Sequence, residues 1–325
     1  RVCGYNSSGQ LGQNDTIDRL TVVPVLGISS QAISVGCGLH YTAVLMNDGT
    51  VRVCGYNSSG QLGQNDTIDR LTVVPVLGIS SQAIAIATGD NHIAVLMNDG
   101  TVRVCGSNNL GQLGQNDTTD RSTVVSILGL CSQAIAVACG GGHTSVLMND
   151  GTVRVCGYNG SGQLGQNDTT SRSTVVPVLG LSTQAIAVAC GGGHTSVLMN
   201  DGTVRVCGVN GAGQLGQNDT NNRLTQAPIV VGMPTNAIII APALNLGPYS
   251  SSSSRILYQL DMSTDGARKL TSTVWTTGSD AALKSNIETA DLDRCVEIIS
   301  NLDLKYFKWE IPADDTHSLG WIAQE

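Results

Sequence analysis

The string Val-Cys-Gly recurs with its cysteine at Cys3, Cys54, Cys105, Cys156 and Cys207, a spacing of 51 each time, and residues 1–33 are identical to residues 52–84. Self-similarity at a fixed period means that one supersecondary unit stacks on copies of itself, because a single unit cannot bury its own apolar face. Each unit reads as a strand (RVCGYN), a Gly-rich turn (GQLGQND), two further strands (TVVPVLG and QAIAVACG) and a hairpin (TSVLMNDGTVRVCG). Asp-Gly pairs at Asp48-Gly49, Asp99-Gly100, Asp150-Gly151 and Asp201-Gly202 sit between apolar runs, which reads as a two-residue hairpin turn. Four strands per 51 residues is the arithmetic of a propeller blade. With 39 Gly, one Phe and 3% aromatic residues, the composition suits short strands and tight turns better than packed helices. The expected fold is all-β, a β-propeller of 51-residue four-stranded repeats, four complete and one degenerate, over residues 1–247.

The charge changes character along the chain. Through Leu246 there are ten Arg, no Lys and thirteen acids, all Asp; from Gly247 onward there are three Arg, four Lys, eight Asp and four Glu. All three Trp and the only Phe lie in the second part. This shift marks a domain boundary, with the serine tract Ser250 to Ser254 inside a linker spanning 248–255. A weakly acidic first part without Lys lacks the basic footprint that phosphate neutralisation demands, so nucleic acid is excluded as a partner. No apolar run approaches the roughly 18 residues needed to span a bilayer, so no membrane span is expected.

The recurring elements GYNSSGQLG, GSNNLGQLG, GYNGSGQLG and GVNGAGQLG, with GGGHTSVL at Gly140–Leu147 and Gly191–Leu198, resemble the regulator of chromosome condensation repeat family. The resemblance implies a seven-bladed propeller. Seven blades at this period need roughly 360 residues, so upstream blades are expected to be missing, and the opening RVCGYNSSGQ shows neither an initiator Met nor a signal peptide. The fifth unit runs out after GQLGQNDTNNRLTQAP; NAIIIAPALNLGPY keeps an apolar strand but loses the His and the Asp-Gly turn. The founding member of the family is an exchange factor for a Ran-type GTPase and binds chromatin. The strict period leaves no inserted contact loop, so that activity is not carried over.

Several repeated residues invite a functional reading. His92, His143 and His194 occupy one position in three units, with Tyr41 there in the first and His40 beside it. Equivalent positions on adjacent blades are too far apart to share an ion, so each is read as a blade histidine bonding a neighbouring backbone group, and no metal or cofactor is expected. Counting back from a two-residue turn sets Cys54 opposite Ala43 and away from Cys37; the repeated cysteines are then small buried hydrophobes with free thiols, which favours a reducing compartment. Cys131 and Cys295 stay unassigned. The Asn-Asp-Thr triplets at Asn14, Asn65, Asn116, Asn167 and Asn218 satisfy the glycosylation sequon but are better explained as turn chemistry. Near-identical loops name no unique pocket.

Beyond the linker, ILYQLDM and RKLTSTVW flank STDGA as a second hairpin, and Leu292, Cys295, Val296, Ile299 and Leu302 follow helical spacing over Asp291–Leu302. With the strand-like KYFKWEI and SLGWIA, this makes a small α+β unit over 256–325. The run GSDAALKSNIE, followed by ISNLDLKYFKWE and LGWIAQE, is similar to the intramolecular chaperone at the C-terminus of phage tail spikes, large DNA virus proteins and a membrane-bound transcription factor. That family's helical tail would begin just past Glu325, so the unit is expected to be its N-terminal part. The resemblance implies a homotrimer and a single-turnover self-cleavage between Gly278 and Ser279, with Ser279 as nucleophile and Lys284 as base. A lysine serves as base only when desolvation lowers its pKa, which burial between partners would supply.

The expected function is therefore a propeller displayed on a trimeric fibre-like or spike-like assembly and matured by self-cleavage, in a virion or in host cytoplasm during assembly. The alternative is a cytoplasmic scaffold or exchange regulator whose propeller binds a protein such as a small GTPase. A protein or a glycan is the open ligand of the propeller.

Overall fold

A computed structural model describes residues 1–28, 31–130, 133–181, 185–228, 260–263 and 266–269. The described residues form strands joined by turns, with no helix among them. Four antiparallel four-stranded sheets follow one another. The first holds β3 (Ala32–Cys37), β4 (Tyr41–Met46), β5 (Val51–Gly55) and β6 (Arg70–Pro75) in that spatial order. The second holds β7 (Ala83–Thr88), β8 (His92–Met97), β9 (Val102–Gly106) and β10 (Arg121–Ser126). The third comprises β11 (Ala134–Cys139), β12 (His143–Met148), β13 (Val153–Gly157) and β14 (Arg172–Pro177), and the fourth β15 (Ala185–Cys190), β16 (His194–Met199), β17 (Val204–Gly208) and β18 (Arg223–Pro228). Ahead of them, β1 (Val2–Gly4) pairs with β2 (Arg19–Val23) as the outer two strands of a blade do. The all-β propeller of four-stranded repeats is as the period implies.

The blade is framed differently from the sequence unit. Each sheet begins at Ala-Ile and closes on the first strands of the next unit, so a blade takes its outer half from the following repeat. The outer strand also ends earlier than TVVPVLG suggests. Val76 N–H still donates to Val51 O, but Leu77 N–H donates to Gly63 O, which draws the Leu-Gly segment onto the preceding turn.

The hairpin turn differs by one residue from the two-residue reading. Met46 N–H donates to Thr50 O at 2.9 Å and Gly49 N–H to Met46 O at 3.0 Å, leaving a three-residue loop with Gly49 at φ +76°. The Asp48 carboxylate accepts from both N–H and hydroxyl of Thr50, which fixes the longer loop. Cys54 consequently faces Thr42, not Ala43. Cys37 faces the same threonine from the other side, so the two thiols stand two strands apart and cannot bridge. Gly49 also carries a contact between blades: its carbonyl accepts from Ala83 N–H, and a Cβ there would lie 2.4 Å from the Gln82 nitrogen.

The core lies between blades. Every residue of β4, β8 and β12 is buried, because each second strand is covered on both faces. Tyr41, Leu45 and Val53 of the first blade pack with Ile93, Val95 and Cys105 of the second, and matching layers follow between later blades. The first strands β3, β7, β11 and β15 contact one another in succession, which makes them the inner strands.

Near the C-terminus, β19 (Leu260–Ser263) pairs with β20 (Gly266–Lys269), the hairpin expected around Ser-Thr-Asp-Gly. The chain divides into two units at Asp261–Met262. The helix expected over Asp291–Leu302, the strands KYFKWEI and SLGWIA, the serine linker and the NAIIIAPALNLGPY strand lie outside the described residues.

Candidate functional site

The repeated histidines lock neighbouring blades together. Thr144 Oγ1 donates to Gln112 O at 2.8 Å and Thr195 Oγ1 to Gln163 O at 2.7 Å. A hydroxyl has one proton, so His92 Nε2, 3.0 Å from Thr144 Oγ1, and His143 Nε2, 2.9 Å from Thr195 Oγ1, are the donors. Their acceptors are hydroxyls of the next blade, where the sequence suggested backbone groups. The second blade has Ile93 in place of this threonine, and the first has Tyr41 in place of the histidine. Tyr41 reaches across instead, its phenol donating chiefly to the carbonyl of His92, with the carbonyl of Gly89 farther off at 3.3 Å. Burial pushes His92 down to about 4 and His143 to about 3, so both are neutral, with Nδ1 enclosed and unpartnered. Among the described residues no three His, Cys, Asp or Glu side chains converge as a metal requires.

The repeated cysteines serve the same joint. Cys54, Cys105, Cys156 and Cys207 are fully buried free thiols whose Sγ lies 3.3–3.6 Å from the carbonyls of Gln10, Gln61, Gln112 and Gln163. Desolvation pushes each up to about 12, which makes them inert. In the Gly-rich turns, Asn14, Asn65, Asn116, Asn167 and Asn218 adopt φ near +60°, and the first four donate their N–H to the outer strand of the following blade. The Asp one residue on pairs with the Arg four residues later at 2.6 Å in every unit, Asp15–Arg19 first. The triplet is a turn built for stacking.

One cleft departs from the repeat. About 310 Å³ in volume, it is lined by Asp90, Asn91, Ser107, Asn109, Leu110, Gln112, Gly141, Gly142, Tyr158 and Gly192. It sits where the loops after the inner strands of blades two to four meet the turns after β9 and β13. A ladder of backbone bonds spaced 51 residues apart holds its floor: Leu39 N–H to Asp90 O at 3.0 Å, Asp90 N–H to Gly141 O at 3.4 Å, and Gly141 N–H to Gly192 O at 3.0 Å. Gln61 Nε2 donates to Asn91 Oδ1 at 3.3 Å, and Leu110 N–H donates to Gln112 Oε1 at 2.9 Å, which sets the rim. Asp90 Oδ1 is buried without a hydrogen-bond partner, and desolvation raises its carboxyl above the usual carboxylate value.

Comparison with known proteins agrees with this geometry. The model of the RCC1-like domain matches residues 1–246. The chain belongs to the RCC1-like domain family. A second model, the chaperone of endosialidase, matches residues 279–325, so one chain joins an RCC1-like propeller to the endosialidase-type chaperone segment. The "Probable E3 ubiquitin-protein ligase HERC4" of Mus musculus is 36% identical over 201 residues, 59% of this chain and 19% of that protein. The Arabidopsis thaliana "Ultraviolet-B receptor UVR8" is 29% identical over 242 residues, 73% of this chain and 54% of that protein. The chain thus spans between a fifth and about half of the length of these relatives. Among solved structures, human WBSCR16 superposes with a TM-score of 0.62 at 24% identity, covering 69% of this chain and 61% of that one. Prp20p of Saccharomyces cerevisiae gives 0.61 at 19%, covering 75% and 59%. These likenesses show the fold.

Within the RCC1-like propeller, His92 and His143 sit in successive blade joints, His194 holds the equivalent place at the start of β16, and no helix among the described residues is long and apolar enough to cross a membrane. Gly278, Ser279 and Lys284 fall outside the described residues, as do Cys131 and Cys295. The Asp90 cleft escaped the sequence reading, which found no unique pocket. Its signal was present as Gly-Asp-Asn-His at Gly89–His92, where the next two units carry Gly-Gly-Gly-His.

Proposed function

We propose that this chain is a binding propeller carried on a trimeric, fibre-like or spike-like assembly and matured by one self-cleavage between Gly278 and Ser279. The observation that carries the reading is the junction itself: an RCC1-like array over residues 1–246 followed by a chaperone of endosialidase segment over 279–325. The propeller's stacked blades use their recurring polar residues on each other, which supports a scaffold that presents loops and performs no chemistry.

The chemistry of maturation belongs to Ser279 and Lys284. Lys284, stripped of water when three copies pack, is neutral and takes the Ser279 hydroxyl proton. Ser279 Oγ attacks the Gly278 carbonyl carbon, the Ser279 nitrogen leaves as the amine after taking up a proton, and water hydrolyses the resulting ester. The products are a chain ending at Gly278 and a fragment beginning at Ser279. A setting in a virion, or in host cytoplasm during assembly, fits a fibre protein; free buried thiols fit a reducing place of folding.

Light scattering with intact mass measurement on the expressed chain tests the reading. A trimer accompanied by a fragment beginning at Ser279, abolished in Ser279→Ala with the trimer retained, is expected. An uncleaved monomer overturns it and favours a cytoplasmic scaffold or exchange regulator acting through the propeller alone.

A further inference from the structure

The array is repetitive enough for its departures to be informative, and five of them converge on one place. Asp90 stands where the other units have Leu39, Gly141 and Gly192; Asn91 where they have His40, Gly142 and Gly193. Ser107 replaces Tyr5, Tyr56, Tyr158 and Val209, while Asn109 and Leu110 replace Ser or Gly and Ser or Ala. All five line the same cleft of about 310 Å³ although they come from two loops, one after β7 and one after β9. The repeat supplies the fold without them, as the neighbouring blades demonstrate with other residues at these positions.

The Asp90 side chain contributes no hydrogen bond to the scaffold. Its backbone is held by the ladder that every blade shares, and its Oδ1 is buried with no partner. The next blade makes room for the carboxylate: a Cβ on Gly141 would stand 2.9 Å from Asp90 Oδ2. No Lys, Arg or His lines the cleft. Asp90 is only half-buried, but its enclosed Oδ1 reaches neither a protein donor nor open solvent, a cost that a cation entering the cleft would recover. The remaining lining matches a guanidinium better than a compact ammonium: Leu110 offers an apolar wall for a methylene stem, and Asn91, Ser107 and Asn109 set polar side chains on more than one side of the carboxylate. The volume is at the small end of ligand sites, sufficient for one side chain.

We propose that the Asp90 cleft is a docking site for an arginine side chain presented by a partner protein, with Asp90 as its counter-ion. The proposal rests on the binding-propeller reading and gives that propeller a ligand class. It is independent of cleavage at Gly278–Ser279, so failure of one leaves the other standing.

Saturation-transfer NMR on the full chain tests it, with N-acetyl-L-arginine methylamide as probe and the isosteric, uncharged N-acetyl-L-citrulline methylamide as control. The arginine probe is expected to bind at least about tenfold more tightly than the citrulline probe, the equivalent of one charge-assisted hydrogen bond. Asp90→Gly, which installs the residue of the third and fourth blades, and Asp90→Asn, which keeps the shape, are each expected to lower arginine binding to the citrulline level. An unchanged melting temperature for either variant shows that the loss is local. Equal binding of the two probes, no saturation transfer from arginine, or undiminished arginine binding by both variants overturns the proposal.

Discussion

The joint between the second and third blades can be rewritten as the joint between the first and second. In the native chain His92 donates to Thr144, whereas Tyr41 faces Ile93 and reaches past it to the carbonyls of Gly89 and His92. Thr144→Ile alone removes the acceptor of His92 Nε2–H at a site where both residues are 0% exposed, so no water replaces it. An enclosed donor left unsatisfied costs about 1–3 kcal/mol, and in a domain of this size each kcal/mol lowers the melting temperature by about 2–4 °C. His92→Tyr together with Thr144→Ile restores a donor that reaches backbone: the carbonyls of Gly140 and His143 occupy the equivalent positions, and Gly89 leaves the ring the same space that Gly38 leaves Tyr41. Urea unfolding of the wild type, both single variants and the double variant gives a double-mutant cycle. The expected coupling is favourable and at least about 1 kcal/mol; additivity within about 0.5 kcal/mol would refute the idea that these residues act as a pair.

Two further outcomes follow from burial. His92 and His143 have folded pKa values near 4 and 3 against an ordinary 6.5, so the unfolded chain binds more protons between those values. Their contribution to stability is complete above pH 6.5 and is lost as pH falls toward 4 and then 3, by about 1.4 kcal/mol per pH unit for each histidine; urea midpoints measured from pH 7 to 5 should fall, and fall less steeply in His92→Tyr. With Cys54, Cys105, Cys156 and Cys207 held near 12 inside the joints, iodoacetamide at pH 8 should label exposed Cys3 and spare these four until the protein unfolds, as peptide mass mapping reads.

The sequence made the blade legible because identity at 51 residues admits few architectures, and its reading of the Val-Cys-Gly cysteines as buried holds for Cys54, Cys105, Cys156 and Cys207 but not for exposed Cys3. It did not reveal the turn. Asn-Asp-Gly is compatible with loops of two or three residues, and the choice rests on the Asp48 carboxylate accepting twice from Thr50. Nor did it reveal the histidine's partner, since His92 and Thr144 are 52 residues apart and meet only when blades stack. The cleft was hidden for a related reason. Asp90, Asn109 and Leu110 are visible as departures from the repeat, but only the fold shows that they share one site. Ser279 and Lys284 rest on motif, and the proposed reactivity is one that a single chain would not display.

Cleavage measured against protein concentration during refolding tests the central claim most directly, that Ser279 and Lys284 become reactive when copies pack together. The account predicts that the fragment beginning at Ser279 appears faster as concentration rises and is absent at dilutions where trimers do not form. A cleavage rate independent of concentration, or trimers in which Gly278–Ser279 stays intact, would contradict it.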